Sequence, residues 1–146
     1  MASRGPQTAL ARYRMLAPSA SVRVSPLCLG AMTFGETNQE RYGKITKKDA
    51  FDMMDRFYES GGNFIDTANA YQAGQSEQWV GEWMKQQGNR DEIVLATKYT
   101  TPHMGHEKGR IQANFGGNGT KSMRMSLEGS LERLGTSYID LYYVHW

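Results

Sequence analysis

Short apolar segments alternate with amphipathic segments along this chain, and that alternation restricts the fold more than any other feature. Buried strands are predicted at residues 27–31, 63–67, 92–97 and 138–144. Helices are predicted between them at residues 47–60, 76–87 and 121–134. Strands joined by helical crossovers pair in parallel, so the pattern predicts an α/β fold with right-handed crossovers, in a barrel or an open sheet.

The predicted elements also have recognisable ends and inward faces. Thr46 and Asp49 form a capping box before the first helix, and a short hairpin over residues 13–24 follows a flexible arm at residues 1–12. Cys28, in an apolar run, is predicted to be a reduced core thiol. The apolar stripes predict these inward side chains: Ala50, Met53, Met54, Phe57, Tyr58, Trp79, Val80, Trp83, Met84, Met123, Leu127, Leu131 and Leu134.

Composition argues against several function classes. The chain has 146 residues and a formal charge of +2, from 17 basic and 15 acidic side chains, so no nucleic-acid partner is expected. It has neither a signal-peptide core nor a run of ~18 apolar residues, which predicts a cytoplasmic protein without a membrane partner. His103 and His106 lack further ligands at metal-site spacing, so no metal is expected.

Four polar residues lie at or near the ends of predicted strands. Asp66 and Tyr71 follow the second of these strands, Lys98 ends the third, and His145 ends the fourth. The carboxyl ends of parallel strands meet at one rim, where parallel folds place their active sites. We therefore expect the four side chains to lie together, although each alone also has an ordinary structural explanation.

Together these four side chains suit proton donation to a developing oxyanion. A tyrosine is a poor acid near neutral pH unless a neighbouring ammonium stabilises its phenolate, and Lys98 could supply that charge. Asp66 could balance the buried ammonium, and His145 could donate a hydrogen bond to a substrate oxygen. The set predicts general-acid catalysis with oxyanion stabilisation.

These residues, and the segments around them, resemble those of a known protein family. The chain is similar to the amino-terminal part of the aldo-keto reductases, and most similar to their fungal aryl-alcohol dehydrogenase and norsolorinic acid reductase branch. The resemblance covers about residues 13–146. Its matching segments are residues 27–35, 62–71, 76–77, 79–84, 90–98 and 139–146.

The resemblance implies the first half of a (β/α)8 barrel over residues 13–146, and reduction of aldehydes or ketones with NADPH. It implies a catalytic set of Asp66, Tyr71, Lys98 and His145, with Tyr71 as proton donor and His145 also positioning the substrate carbonyl. Asp66 and residues 30–32, which are Gly30, Ala31 and Met32, would lie near the cofactor. The branch suggests aryl aldehydes or polyketide-type ketones as substrates, in fungal secondary metabolism.

A complete barrel of this kind takes about 250 residues, so the chain predicts only four of eight strands. Edge strands with open hydrogen-bonding groups invite pairing with another chain. Three expectations stay open: a fragment of a longer enzyme, a truncated and inactive remnant, or a half-barrel that self-associates through its open edges.

Overall fold

Strands and helices alternate along the part of the chain that the structure describes. The structure is a computed structural model, which describes residues 8–102, 107 and 109–146. Its strands are β1 (Arg14–Ala17), β2 (Ala20–Val24), β3 (Leu29–Gly30), β4 (Phe64–Asp66), β5 (Val94–Tyr99) and β6 (Leu141–Val144). Its α-helices are α1 (Gln39–Tyr42), α2 (Lys47–Glu59), α3 (Gln75–Gln87) and α4 (Thr120–Leu134), and short 3-10 turns cover Tyr71–Gly74 and Arg90–Glu92.

A four-stranded parallel sheet organises the molecule, in the order β3-β4-β5-β6, and an antiparallel hairpin of β1 and β2 precedes it. In its register Gly30 pairs with Asp66, Asp66 with Ala96, and Lys98 with Tyr143. The predicted parallel α/β fold and the predicted hairpin are confirmed. No helix in the described residues is long and apolar enough to cross a membrane.

The two faces of the sheet differ, and the helices pack against one of them. Ile65 and Leu95 point to the helices and are fully buried in a core with Met54, Val80 and Trp83. Successive residues of a strand point to opposite faces, so the alternate residues form the other surface. We call this surface the inner face and define it by Gly30, Asp66, Ala96, Lys98 and Tyr143.

Local sequence signals set the helix ends. The Thr46 side chain accepts a hydrogen bond from the Asp49 amide and the Asp49 carboxylate accepts one from the Thr46 amide, which is the predicted capping box. Gly88 and Gly135 end α3 and α4 in the left-handed conformation that glycine adopts without a Cβ penalty. Of the arm predicted at residues 1–12, residues 1–7 lie outside the described part, and the Thr8 hydroxyl donates to the Ser60 carbonyl.

The predicted face of α4 is wrong except at Leu134. Ser122, Ser126 and Ser130 are buried with Leu134, whereas Met123, Leu127 and Leu131 are only half-buried. Helix α4 packs so close to α3 that a Cβ on Gly81 would lie 2.5 Å from the Leu134 carbonyl oxygen. Such an approach favours small side chains, so the close contact overrides the apolar stripe.

Other predictions also need correction. Cys28 is exposed instead of lying in the core, and Met53 is 48% exposed because it lies at the margin of the α2 face that covers the sheet. The third parallel strand is shifted toward the carboxyl end, so Lys98 lies inside β5 and not after it. Residues 39–42 form the short helix α1 within a segment where no helix was predicted.

A buried ion pair joins α3, α4 and β5. The Glu77 carboxylate is fully buried, and it accepts hydrogen bonds from Arg133 Nε at 2.8 Å and from the Thr97 hydroxyl at 2.5 Å. Removing one partner of such a pair leaves an uncompensated charge in the interior, which is costly. The pair therefore fixes α4 against the rest of the fold.

We expect Arg133→Met to lower the free energy of unfolding by about 3 kcal/mol or more, because Glu77 would stay buried without its cation. Urea denaturation would measure the change. Lys48→Met is the matched control, since Lys48 pairs with Asp52 on the surface and should show no measurable loss. Equal losses in both variants would contradict a structural role for the buried pair.

Candidate active site

The carboxyl end of the sheet brings the four predicted residues together. Asp66 is the last residue of β4, Lys98 the penultimate residue of β5, and His145 directly follows β6. Tyr71 begins the 3-10 turn that follows β4, and its amide donates to the Ala68 carbonyl at 3.1 Å. The shared rim that the sequence predicted is therefore present.

Lys98 is the centre of the cluster. Its ammonium Nζ donates to Asp66 Oδ2 at 2.6 Å, to the Thr67 carbonyl at 2.7 Å and to Tyr71 Oη at 3.2 Å. An ammonium has three N–H groups, so these acceptors satisfy all of them. The Lys98 side chain is only 15% exposed, and the Asp66 carboxylate balances a charge that would otherwise be costly to bury.

The contact with Lys98 leaves the Tyr71 proton available. An ammonium can only donate, so Tyr71 Oη is the acceptor in this hydrogen bond and its own O–H is free to point elsewhere. Lys98 Nζ also lies 4.7 Å from the centroid of the Tyr71 ring. The cation is therefore placed to stabilise a phenolate at Tyr71 if the proton leaves.

His145 lies against Tyr71 on the fourth strand's side of the rim. The two ring centroids are 5.5 Å apart and the rings meet edge to face at 79°. The backbone amide of His145 donates to the Tyr99 carbonyl at 3.2 Å and to the Thr100 hydroxyl at 3.3 Å. Nδ1 is buried without a partner among the described residues, so Nε2 is the ring nitrogen that can reach a substrate.

The surroundings of His145 favour its neutral form. Burial lowers the pKa of His145, the nearby Lys98 ammonium lowers it further, and the Asp66 carboxylate partly opposes both effects. A neutral imidazole carries one N–H that can donate a hydrogen bond. The site therefore combines one cation with two neutral donors, Tyr71 and His145.

Three non-glycine residues in the described part of the chain have positive φ angles, and all three adjoin this cluster. Gln72 and Ala73, directly after Tyr71, have φ angles of 51° and 55°, and Thr100 has 97°. Such backbone is costly for residues with a Cβ and tends to occur at functional sites. These residues were not predicted from the sequence, and no local signal marks them, because none is a type that favours the left-handed region.

Comparison with known proteins places the chain in a family. The model of the aldo/keto reductase family matches residues 26–146. This chain belongs to that family.

Relatives of this aldo-keto reductase chain include fungal proteins. It is 67% identical over 134 residues to norsolorinic acid reductase B of Dothistroma septosporum, covering 92% of this chain and 34% of that protein. It is 55% identical over 141 residues to an aryl-alcohol dehydrogenase of Pestalotiopsis microspora, covering 96% of this chain and 36% of that protein. The chain thus spans about a third of the length of these relatives.

Solved structures show the same fold. An aldo-keto reductase of Bacillus halodurans, in its holo form, matches with a TM-score of 0.70 and 33% identity. The match covers 89% of this chain and 38% of that one. The four parallel strands described here therefore correspond to part of an aldo-keto reductase barrel.

The segment proposed from the resemblance to meet the cofactor lies beside Asp66. The Ala31 amide donates to the Asp66 carbonyl at 2.8 Å, and Met32 is 42% exposed. A Cβ on Gly30 would meet no atom within 4 Å, so the inner face is open at this position. An open glycine beside an exposed apolar side chain suits the approach of a flat ring such as nicotinamide.

The described part of the chain has no candidate metal site. The described residues contain no cluster of three or more His, Cys, Asp or Glu side chains that could hold an ion. His103 and His106, which the sequence analysis weighed as ligands, lie outside the described residues.

The thiol of Cys28 also lies near the charged residues of the inner face. The protein around it raises the pKa of the Cys28 thiol to about 12, first by desolvation and second through the Asp66 carboxylate. Although Cys28 is exposed as a residue, its partly desolvated thiol is protonated near neutral pH and is a poor nucleophile.

We expect His145 in the folded chain to titrate below its ordinary value of 6.5. As the pH falls below about 6.5 the unfolded chain takes up this proton first, so acid weakens the fold until His145 itself protonates. Lys98→Met should raise the His145 pKa by removing a neighbouring cation, whereas Asp66→Asn should lower it.

Imidazole NMR signals would measure these midpoints, with His145→Gln identifying the resonance. A His145 midpoint that does not move in Lys98→Met would contradict the proximity of the two groups.

Proposed function

We propose that this chain carries the proton-donating machinery of an NADPH-dependent reductase, which converts an aldehyde or ketone to an alcohol. The observation that carries the proposal is the hydrogen bond from Lys98 to Tyr71 Oη, in a cluster with Asp66 and His145. Family membership supplies the reaction class. The names of the relatives suggest aryl aldehydes or polyketide-type ketones as substrates.

Tyr71 would act as the general acid. Its O–H is not engaged by Lys98, so the proton can pass to a carbonyl oxygen on the inner face while Oη keeps the hydrogen bond from the ammonium. The phenolate left behind would be stabilised by Lys98, and Asp66 would hold that lysine in place. A positioned acid of this kind typically contributes about 10²- to 10⁴-fold in rate.

His145 would orient the carbonyl. Its neutral Nε2–H could donate to the same oxygen that receives the Tyr71 proton, since the ring centroids of His145 and Tyr71 are 5.5 Å apart. Two donors directed at one oxygen would stabilise the negative charge that develops there. His145 would therefore serve as the substrate-binding residue as well as a catalytic one.

Residues at the end of β3 and directly after it would border a nicotinamide cofactor. Gly30 and Met32 would border the ring, Ala31 would hold their loop against β4 through its hydrogen bond to Asp66, and the Asp66 carboxylate would lie nearby. When bound, NADPH supplies the hydride that the carbonyl carbon accepts. The chain's own residues then provide the proton and the orientation.

Tyr71→Phe tests the proposal most simply. We expect turnover of an aryl aldehyde such as 4-nitrobenzaldehyde to fall on the order of 10²-fold or more, with NADPH affinity unchanged, because only the proton donor is lost. Consumption of NADPH and its fluorescence on binding would measure both quantities.

Tyr138→Phe is the matched control. Its phenol donates to Asp91 at the opposite end of the sheet, so its loss should leave turnover unaffected. Turnover that survives Tyr71→Phe would contradict the proposed mechanism. Binding of NADPH without turnover in the unaltered chain would contradict reductase activity of these 146 residues and favour the second candidate.

The second candidate is a catalytically inactive half-barrel that acts as an interaction subunit. Strands β3 and β6 are the edges of the described parallel sheet. Leu27, just before β3, is 64% exposed, and Val144, the last residue of β6, is 56% exposed. Unpaired edges with apolar side chains favour association, here with a second copy. Sedimentation would then show a dimer that Val144→Asp converts to a monomer, and a monomer at all concentrations would exclude this candidate.

A further inference from the structure

The buried side chain of Gln72 connects two segments that the proposed reaction uses. Gln72 directly follows Tyr71, is only 2% exposed and has the left-handed φ angle of 51°. A buried polar side chain on strained backbone needs compensating contacts, and those contacts all lie in the loop that follows β3. The strain is thus maintained by bonds to another element.

The contacts of Gln72 extend along this loop. Its Nε2 donates to the Met32 carbonyl at 3.3 Å, and its Oε1 accepts from the Asn38 amide at 2.8 Å. The Thr37 hydroxyl donates to the Gln72 carbonyl at 3.0 Å. One residue therefore binds both ends of the segment 32–38, which we call the β3 loop.

Two further contacts make the connection rigid. Gly35 lies so close that a Cβ there would be 2.5 Å from Cβ of Gln72, and Gln75 Oε1 accepts from the Glu36 amide at 2.6 Å. The turn that carries Tyr71 and the β3 loop are thus packed together with little space between them. A shift of one segment would disturb the other.

We infer that Gln72 is a positioning residue that couples the β3 loop to Tyr71, so that a nicotinamide nucleotide on the loop orders the proton donor. This inference rests on the proposed function, because it takes the β3 loop as part of the cofactor site. Coupling of this kind is reciprocal: if the nucleotide orders the Tyr71 turn, the turn strengthens nucleotide binding. Gln72 need not touch the substrate or the nucleotide to have this effect.

Gln72→Met tests the coupling, because methionine keeps the length of the side chain and removes both of its hydrogen bonds. Ala73→Gly is the matched control, because it changes the same strained turn and an alanine side chain has no hydrogen bond to lose. Amide hydrogen exchange and NADP⁺ affinity would both be measured on the unaltered chain and on each variant. The Leu95 amide, which donates to Asp140 in the sheet, reports whether the fold is intact.

We expect exchange of the Asn38 amide to rise on the order of tenfold in Gln72→Met, with Leu95 unchanged, since one side-chain hydrogen bond is lost. NADP⁺ should slow exchange of the Tyr71 amide in the unaltered chain and in Ala73→Gly, but not in Gln72→Met. Its dissociation constant should rise on the order of tenfold only in Gln72→Met. A merely structural role would not abolish the response of Tyr71 to the nucleotide.

The outcomes separate the inference from the proposed function. NADP⁺ that binds and protects Tyr71 equally in Gln72→Met overturns the inference and leaves the proposed function standing. An unaltered chain that does not bind NADP⁺ overturns both the proposed function and the coupling. Protection of Asn38 that persists in Gln72→Met overturns the connection itself.

Discussion

The site depends on one buried ammonium. Lys98 Nζ donates hydrogen bonds to three acceptors: the Asp66 carboxylate, the Thr67 carbonyl and the Tyr71 phenol oxygen. Without Asp66 the charge would be costly to bury, and without Lys98 nothing would hold the phenol oxygen against the strand. The direction of this hydrogen bond also decides the chemistry, because an ammonium donates and so leaves the phenol proton free.

The parallel sheet places these groups through its register. Asp66 lies on β4 and Lys98 on the neighbouring strand β5. Both side chains lie on the inner face, because Ile65 and Thr97, which directly precede them, face the helices. The helix side is fixed by a dense core and by the Glu77–Arg133 pair. Rigid packing on one face thus supports the polar cluster at the carboxyl end of the other face, and the strained residues Gln72 and Thr100 adjoin that cluster.

Much of this arrangement could be predicted from the sequence, since apolar periodicity and capping signals identified the hairpin, the parallel strands and three helices. The position of Tyr71 beside Lys98 followed from the rule that parallel strands end at one rim. The serine face of α4 could not be predicted, because a close helix contact at Gly81 decides it. The role of Gln72 could not either, since its contacts join residues 34 to 40 positions apart.

The contact between Lys98 and Tyr71 is the central claim, and NMR can test it directly. In chain labelled with ¹⁵N-lysine, the account predicts a slowly exchanging Lys98 ammonium signal with nuclear Overhauser contacts to the Tyr71 ring, whose centroid lies 4.7 Å from Nζ. Asp66→Asn should weaken that signal, because the ammonium loses its charged acceptor. A Lys98 ammonium that exchanges freely with water and shows no contact with Tyr71 would contradict the account.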